Sequence, residues 1–98
     1  MYEMLVGLEV YDGGIYEQYR AAMKPLLAQY EGGFGYDFAV SEVLRSEVDV
    51  AINRVFTIYF ANKAKADGFF SNNDYLAIKS QYFESSVRNT VIIASYEK

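Results

Sequence analysis

The stretch from residue 53 to residue 96 constrains the fold more than any other part of the chain. Residues 55–60 are mostly apolar and β-branched or aromatic, which is typical of a buried strand. Residues 91–96 form a second apolar strand pattern. The helical segment between them is interrupted at residues 71–74, a Ser-Asn-Asn-Asp run of the residue types that favour helix N-caps. A strand, a two-part helical connection and a closing strand make one half of a small α+β sandwich.

The first part of the chain predicts a strand, a helix and a second strand. Apolar alternation predicts a strand over residues 4–11, and Asp12 is a candidate cap for the helix that follows. Apolar residues at helical spacing predict that this helix covers residues 15–31, with a bend at Pro25. The double glycine at 32 and 33 is expected to end the helix, and the second strand begins at Phe34.

The second half of the chain adds a strand, two helical pieces and a closing strand. Residues 42–49 are interpreted as a charged hairpin connection, and the third strand is predicted over residues 50–60. Asn62 is expected to cap a short helix, followed by a second helical piece over 75–84 and a fourth strand over 87–96. The order β-α-β-β-α-β predicts a ferredoxin-like α+β fold, with a four-stranded antiparallel sheet in a single domain over residues 1–98.

Charge and composition exclude several classes of function. The net charge is −4 and no long basic run is present, so we expect no nucleic-acid partner. No segment approaches the roughly 20 apolar residues that cross a bilayer, and the first residues do not resemble a signal peptide. The chain has no cysteine, which fits a reducing compartment. These features predict a cytoplasmic protein without a membrane partner.

The lack of histidine and cysteine limits the available chemistry. It excludes the usual zinc sites, Ser–His and Cys–His nucleophiles and histidine-ligated haem. Proton transfer would fall to carboxylates, lysine or tyrosine. We therefore predict no metal site and no cofactor.

The sheet face away from the helices is predicted to be too apolar for contact with water. A surface of this kind usually marks an interface, and a twofold homodimer in which two sheets pack together is the simplest arrangement. The residues assigned to this face are Leu5, Tyr11, Val55, Thr57, Tyr59, Ile92, Ala94 and Tyr96.

Arg54 is the charged residue that we consider the main candidate for a function. It has the strand parity of the helix-facing side, where a buried guanidinium requires a partner. That partner is Glu17, Asp74 or an anionic ligand; the alternative is a side chain that extends to solvent. Arg20 is expected to be solvated or at a dimer rim, and Asp37 is expected on the face away from the helices.

Three tyrosines are candidate ligand-binding residues together with Arg54. Tyr19 lies on the apolar side of the first helix, while Tyr75 and Tyr82 are seven residues apart and are expected to share one helix face. They would line a pocket for a flat aromatic or lipophilic molecule. Packing within an ordinary core is the alternative.

Short motifs along most of the chain resemble a known family. They are Tyr-Glu-Gln-Tyr-Arg at 16–20, Pro-Leu-Leu at 25–27, Arg54 with the strand that follows it, and Phe-Ser-Asn-Asn-Asp-Tyr at 70–75. In these the chain is similar to the domain-of-unknown-function 1330 family of the dimeric α/β-barrel superfamily. It departs from the pattern at Ala61, where the family usually has proline, and it lacks the basic residue that often follows the double glycine.

The resemblance implies a ferredoxin-like fold and a homodimer whose two sheets form a barrel. The superfamily includes cofactor-free monooxygenases of aromatic polyketides, haem-degrading enzymes and small isomerases, so fold alone does not assign a reaction. Three functions follow, in order of preference. They are a dimer that binds a small molecule without catalysis, a cofactor-independent oxygenase or isomerase in which Arg54 stabilises negative charge, and a purely structural dimerisation domain.

Overall fold

The computed structural model describes all residues from 1 to 98 and confirms the ferredoxin-like fold. Its four strands form one sheet in the order β2-β3-β1-β4, and all neighbouring strands are antiparallel. No helix is both long enough and apolar enough to cross a bilayer. In chain order the elements are β1 (Tyr2–Val10), α1 (Gly13–Gln29), β2 (Gly33–Ala39), β3 (Arg54–Phe60), α2 (Lys63–Ser71), α3 (Asn73–Ile78), a π-helical turn (Lys79–Phe83) and β4 (Val87–Glu97).

Side-chain caps set the helix starts, as the sequence predicts. The side-chain oxygens of Asp12 and Asn62 accept the backbone N–H three residues further on, at 3.0 and 2.9 Å. Asn72 accepts two N–H groups, at 2.8 and 3.3 Å, and so separates α3 from α2. Each cap satisfies backbone donors that have no partner inside the helix. The two-part connection is therefore confirmed.

The helices cover one face of the sheet and enclose the core with it. Alternate side chains of β1 and β3 point toward them, because successive residues of a strand face opposite sides. The buried cluster consists of Val6, Leu8, Tyr16, Tyr19, Met23, Leu26, Leu27, Phe56, Ile58, Phe60, Ala66, Phe69, Tyr75 and Val87.

The connection between β2 and β3 differs from the prediction. Strand β3 begins at Arg54 instead of residue 50, and residues 40–53 have no helix or strand. They join two neighbouring antiparallel strands, as predicted, but the connection is longer than residues 42–49. It also carries exposed apolar residues, Val43 and Leu44, and Ile52 lies over Gly7 on the sheet face away from the helices. This face, which we call the outer face, is therefore partly covered by the connection.

A bulge in β2 corrects the predicted side-chain parity of that strand. Phe34 pairs with Ile58, but Asp37 pairs with Phe56, so β2 has one residue more than β3 in this interval. An extra residue reverses the alternation beyond it. Asp37 consequently faces the helices, and the prediction that it lies on the outer face is wrong. Phe38 lies on the outer face instead, opposite Val55.

A second bulge corrects the position of Ile92. Leu5 pairs with Ala94 while Val6 pairs with Ile92, which leaves Ile93 as the extra residue of β4. Ile92 therefore has the parity of Val6 and faces the helices, although uniform alternation placed it on the outer face.

The double glycine is required by space, not by an unusual backbone angle. The residue with positive φ after α1 is Glu31, at 56°, and neither Gly32 nor Gly33 has a positive φ. A Cβ on Gly32 would lie 2.7 Å from Cδ1 of Leu27 and 3.0 Å from the carbonyl oxygen of Tyr59. Glycine at position 32 thus lets the chain pass between α1 and β3.

Gly32→Ala is expected to lower the free energy of unfolding by about 1–3 kcal/mol, because the added methyl group overpacks this crossing. Gly13→Ala is the matched control: its Cβ would meet nothing within 4 Å, so we expect no loss and a gain of up to about 1 kcal/mol. Urea unfolding of both variants measures the difference. Equal stabilities would contradict the steric explanation.

Candidate functional site

A cavity of about 340 Å³ lies between the helix layer and the helix-facing side of the sheet. Thirteen of its sixteen lining residues are hydrophobic, and they come from α1, α2, α3, the π turn and all four strands. The lining is formed by Met4, Val6, Leu8, Tyr16, Tyr19, Arg20, Met23, Phe34, Phe56, Ile58, Phe70, Tyr75, Lys79, Phe83, Thr90 and Ile92.

The π turn decides which residue of the second helical segment reaches the cavity. Its i→i+5 hydrogen bond runs from the N–H of Glu84 to the carbonyl of Lys79, at 3.1 Å. A π turn contains one residue more than an α turn. The residue two turns after Tyr75 on the same face of the helix is therefore residue 83 instead of residue 82. Phe83 accordingly lines the cavity, with its ring centroid 5.0 Å from that of Tyr19. Tyr82 packs against the core but does not line the cavity.

Two of the predicted tyrosines meet in the cavity wall. The hydroxyl groups of Tyr19 and Tyr75 are 2.9 Å apart and hydrogen-bonded, although the residues are 56 positions apart in sequence. Burial raises the pKa of both phenols above the ordinary tyrosine value. Both are therefore neutral at physiological pH, and one hydroxyl donates its hydrogen bond to the other.

Arg20 is the residue that the sequence interpretation missed. Its side chain is 13% exposed, and the guanidinium carbon lies 4.0 Å from the ring centroid of Phe34 and 4.7 Å from that of Phe56. Nε donates to the hydroxyl of Tyr16 at 2.7 Å, and Nη1 donates to Asp37 at 3.3 Å. The expectation of a solvated or rim charge is wrong, because aromatic faces and the Asp37 carboxylate compensate the buried charge.

The spacing of buried residues along α1 indicates that position 20 faces the core. Arg20 is four residues after Tyr16 and three before Met23, both buried on the inward side of α1. A residue with that spacing lies within the apolar stripe itself. The charge of an arginine favours exposure, but the position of Arg20 in the apolar stripe of the helix determines where it lies.

Arg54 forms a structural ion pair outside the cavity. Nη2 and Nε donate to the two oxygens of Asp37 at 2.7 and 2.8 Å, and Nη1 donates to Glu17 at 3.3 Å. The predicted contact with Glu17 is confirmed, and Asp74 is not a partner. The paired hydrogen bonds raise the pKa of Arg54 and hold the pKa of the Asp37 carboxyl below its usual range. Arg54 does not line the cavity.

The charged groups of the cavity wall are both cations. Arg20 and Lys79 line it, and no aspartate or glutamate does. Lys79 has no ion-pair or side-chain hydrogen-bond partner. Asp37, the carboxylate that pairs with Arg20, is shared with Arg54. The wall is thus positive within a protein whose net charge is −4.

Comparison with known proteins gives no match in sequence and a clear match in fold. No protein-family model matches the chain, and no curated protein matches it. A protein of unknown function from Rhodopseudomonas palustris, RPA0582, has a similar structure with a TM-score of 0.79 and 13% identity, over 99% of this chain and 81% of that one.

Two further solved structures share the fold over nearly the whole of both chains. A dimeric ferredoxin-like protein of unknown function from Jannaschia sp. CCS1 has a TM-score of 0.63 and 16% identity, covering 99% of this chain and 98% of its own. A proposed antibiotic biosynthesis monooxygenase from Nitrosomonas europaea has a TM-score of 0.57 and 15% identity, over 100% and 98%. At these identities the likeness establishes the ferredoxin-like fold and leaves the reaction open.

Tyr75→Phe is expected to lower the free energy of unfolding by about 1–3 kcal/mol, since it leaves the buried Tyr19 hydroxyl without a partner. Removing both hydroxyls, with Tyr19→Phe added, should recover part of that loss, because no unpaired polar group then stays buried. Tyr11→Phe, on an exposed tyrosine, is the control and should change little. Denaturant unfolding measures the unmodified protein, the two single variants Tyr19→Phe and Tyr75→Phe, the double variant and the control. Simple additivity of the two single losses would contradict the pairing.

Proposed function

We propose that the chain forms a cytoplasmic homodimer in which each subunit binds an aromatic or lipophilic molecule in the cavity between helices and sheet. The observation that carries this proposal is the cavity itself. Its volume of about 340 Å³ lies within the range of small-molecule sites, and its wall combines apolar side chains with a few polar groups. The absence of cysteine supports the cytoplasm as the proposed compartment, because it fits a reducing environment.

A purely structural role explains the cavity less well. The cavity is partly open to solvent, so without an occupant its largely apolar lining is left in contact with water. Larger side chains at Val6 or Thr90 would fill part of the space. A lining that keeps it open is therefore better explained by an occupant than by packing alone.

Binding without turnover is the proposal we prefer to catalysis. A cofactor-independent monooxygenase or isomerase needs a group that removes a proton from its substrate. The lining offers no carboxylate, and burial raises the pKa of Tyr16, Tyr19 and Tyr75, so these phenols do not act as ready bases. The fold shared with the proposed monooxygenase from Nitrosomonas europaea supports the enzyme as the alternative hypothesis.

Membership of the domain-of-unknown-function 1330 family is likewise a proposal. It is supported by the motifs at residues 16–20 and 70–75, both of which contribute to the cavity wall. Tyr19 and Arg20 belong to the first motif, and Phe70 and Tyr75 belong to the second.

Val6→Phe is expected to abolish ligand binding by filling the cavity from the floor of the sheet. A thermal-shift screen with 1-naphthol and 1,4-naphthoquinone measures this: the ligands should raise the Tm of the unmodified protein but not of the variant. Val10→Phe is the matched control, since Val10 has the same strand parity in β1 but does not line the cavity.

Val10→Phe should retain the ligand-induced rise in Tm. An equal rise in the two variants would place binding elsewhere. No rise with either ligand in the unmodified protein would count against an aromatic ligand in this cavity.

Dimerisation through the outer face is supported by the apolar groups that one subunit leaves exposed. Tyr36 and Phe38 stack there with ring centroids 5.8 Å apart and are 63% and 55% exposed. Ile93 is 48% exposed at the β4 bulge, and Leu44 of the connection is 90% exposed. Exposed apolar side chains on one face of a sheet support an interface there, and a second copy of the same face is its simplest partner. The dimeric protein from Jannaschia shares this fold.

Phe38→Asp is expected to convert the dimer to a monomer, because it places a charge among the exposed apolar groups of the outer face, where Phe38 stacks on Tyr36. Leu76→Asp is the matched control: Leu76 is 43% exposed on α3, in the helix layer, and its substitution should leave the dimer intact. Size-exclusion chromatography with light scattering measures both variants. A monomeric unmodified protein at micromolar concentration would refute the dimer.

A further inference from the structure

Arg20 carries the one buried side-chain polar atom without a hydrogen-bond partner in this protein, its Nη2. The other nitrogens are used: Nε donates to Tyr16 and Nη1 donates to Asp37. Native proteins leave few such groups unpaired, because burying a donor without an acceptor is costly, and more so when the donor is charged. An unpaired guanidinium nitrogen on a residue that lines a cavity indicates that an acceptor arrives with the ligand.

The surrounding aromatic rings do not supply that acceptor. The guanidinium carbon of Arg20 lies 4.0 Å from the ring centroid of Phe34 and 4.7 Å from that of Phe56. Ring faces stabilise the positive charge and hold the plane of the guanidinium. They have no lone pair for the hydrogens of Nη2, which bond best along the N–H direction to an oxygen.

The charge balance favours an anion over a neutral oxygen. Asp37 directs its two short hydrogen bonds, 2.7 and 2.8 Å, to Arg54, and its contact with Arg20 is longer, at 3.3 Å. Arg54 has a second carboxylate partner, Glu17, at 3.3 Å, so the ion pairing is concentrated on Arg54 and Arg20 is the more weakly paired guanidinium. Lys79 is a second cation of the wall and has no partner, while no acidic side chain lines the cavity.

From these observations we infer that the ligand is a monocarboxylate with an aromatic or alkyl body, and that Arg20 binds its carboxylate through Nη2. Because Nε and Nη1 are already used, the carboxylate accepts one charge-assisted hydrogen bond, from Nη2. The apolar body contacts the hydrophobic wall, where the hydroxyls of Tyr19 and Tyr75 are already paired with each other. The inference rests on the proposed binding function and specifies the chemical class of its ligand.

Two probes of the same shape test the charge requirement. 2-Naphthoate and 2-naphthamide differ in the carboxylate alone, and isothermal titration calorimetry at neutral pH gives both affinities for the unmodified protein. We expect naphthoate to bind about 10–100-fold more tightly, the ratio that a charge-assisted hydrogen bond supplies.

Arg20→Met tests which residue is responsible, because it keeps an unbranched apolar side chain and removes the charge. The preference for naphthoate should fall to within about 3-fold, while naphthamide still binds. Arg88→Met is the matched control: Arg88 is exposed, pairs with Glu9 and does not line the cavity, but its loss changes the net charge equally. It should keep the full preference.

The possible outcomes separate the two proposals. If neither probe binds, the proposed small-molecule function fails for this class of ligand. If both bind with equal affinity to the unmodified protein, the cavity is a binding site but the carboxylate inference is overturned. A preference that persists in Arg20→Met overturns the assignment to Arg20.

Circular dichroism establishes whether Arg20→Met is folded. If it is not, ¹⁵N NMR of the arginine Nε groups in the unmodified protein decides instead. The chain has four arginines, and naphthoate should shift the Arg20 signal, with naphthamide shifting it far less. A naphthoate shift confined to the other three would overturn the inference.

Discussion

The carboxylate of Asp37 is the interaction on which the arrangement around the cavity depends. It joins three elements, since Asp37 is on β2, Arg54 begins β3 and Arg20 is on α1. A buried or half-buried guanidinium is tolerated only where its charge is compensated, so this single group fixes two arginines at the edge of the apolar core. The bulge between Phe34 and Asp37 makes the contact possible by turning the carboxylate toward the helices.

The cavity follows from how α1 is held above the sheet. Arg20 is clamped between Asp37 and the rings of Phe34 and Phe56, which keeps the middle of the helix at a fixed distance from the strands. The Tyr19–Tyr75 hydroxyl pair ties the same helix to α3. Between these two attachments the side chains do not fill the available space, and a positive, largely apolar wall results.

Much of the fold was predictable because it depends on local signals. The caps at Asp12, Asn62 and Asn72 act within three residues of their own position, and the order of strands and helices follows from hydrophobic period. The contact of Arg54 with Glu17 was also predictable, since strand parity alone placed the guanidinium on the helix side. By contrast, Arg20 was expected to be solvated or at a dimer rim, although its place in the apolar stripe of α1 favours burial.

The sequence by itself determined the order of elements, the helix starts, the ferredoxin-like class and the presence of Tyr19 and Tyr75 among the inward residues. Only the tertiary structure decided which faces certain residues occupy. A bulge or a π turn adds one residue whose energetic cost is offset by contacts distant in the chain, so its position cannot be read from local pattern. Such one-residue shifts moved Asp37 to the inner side, where it pairs with Arg20, and replaced Tyr82 by Phe83 in the wall.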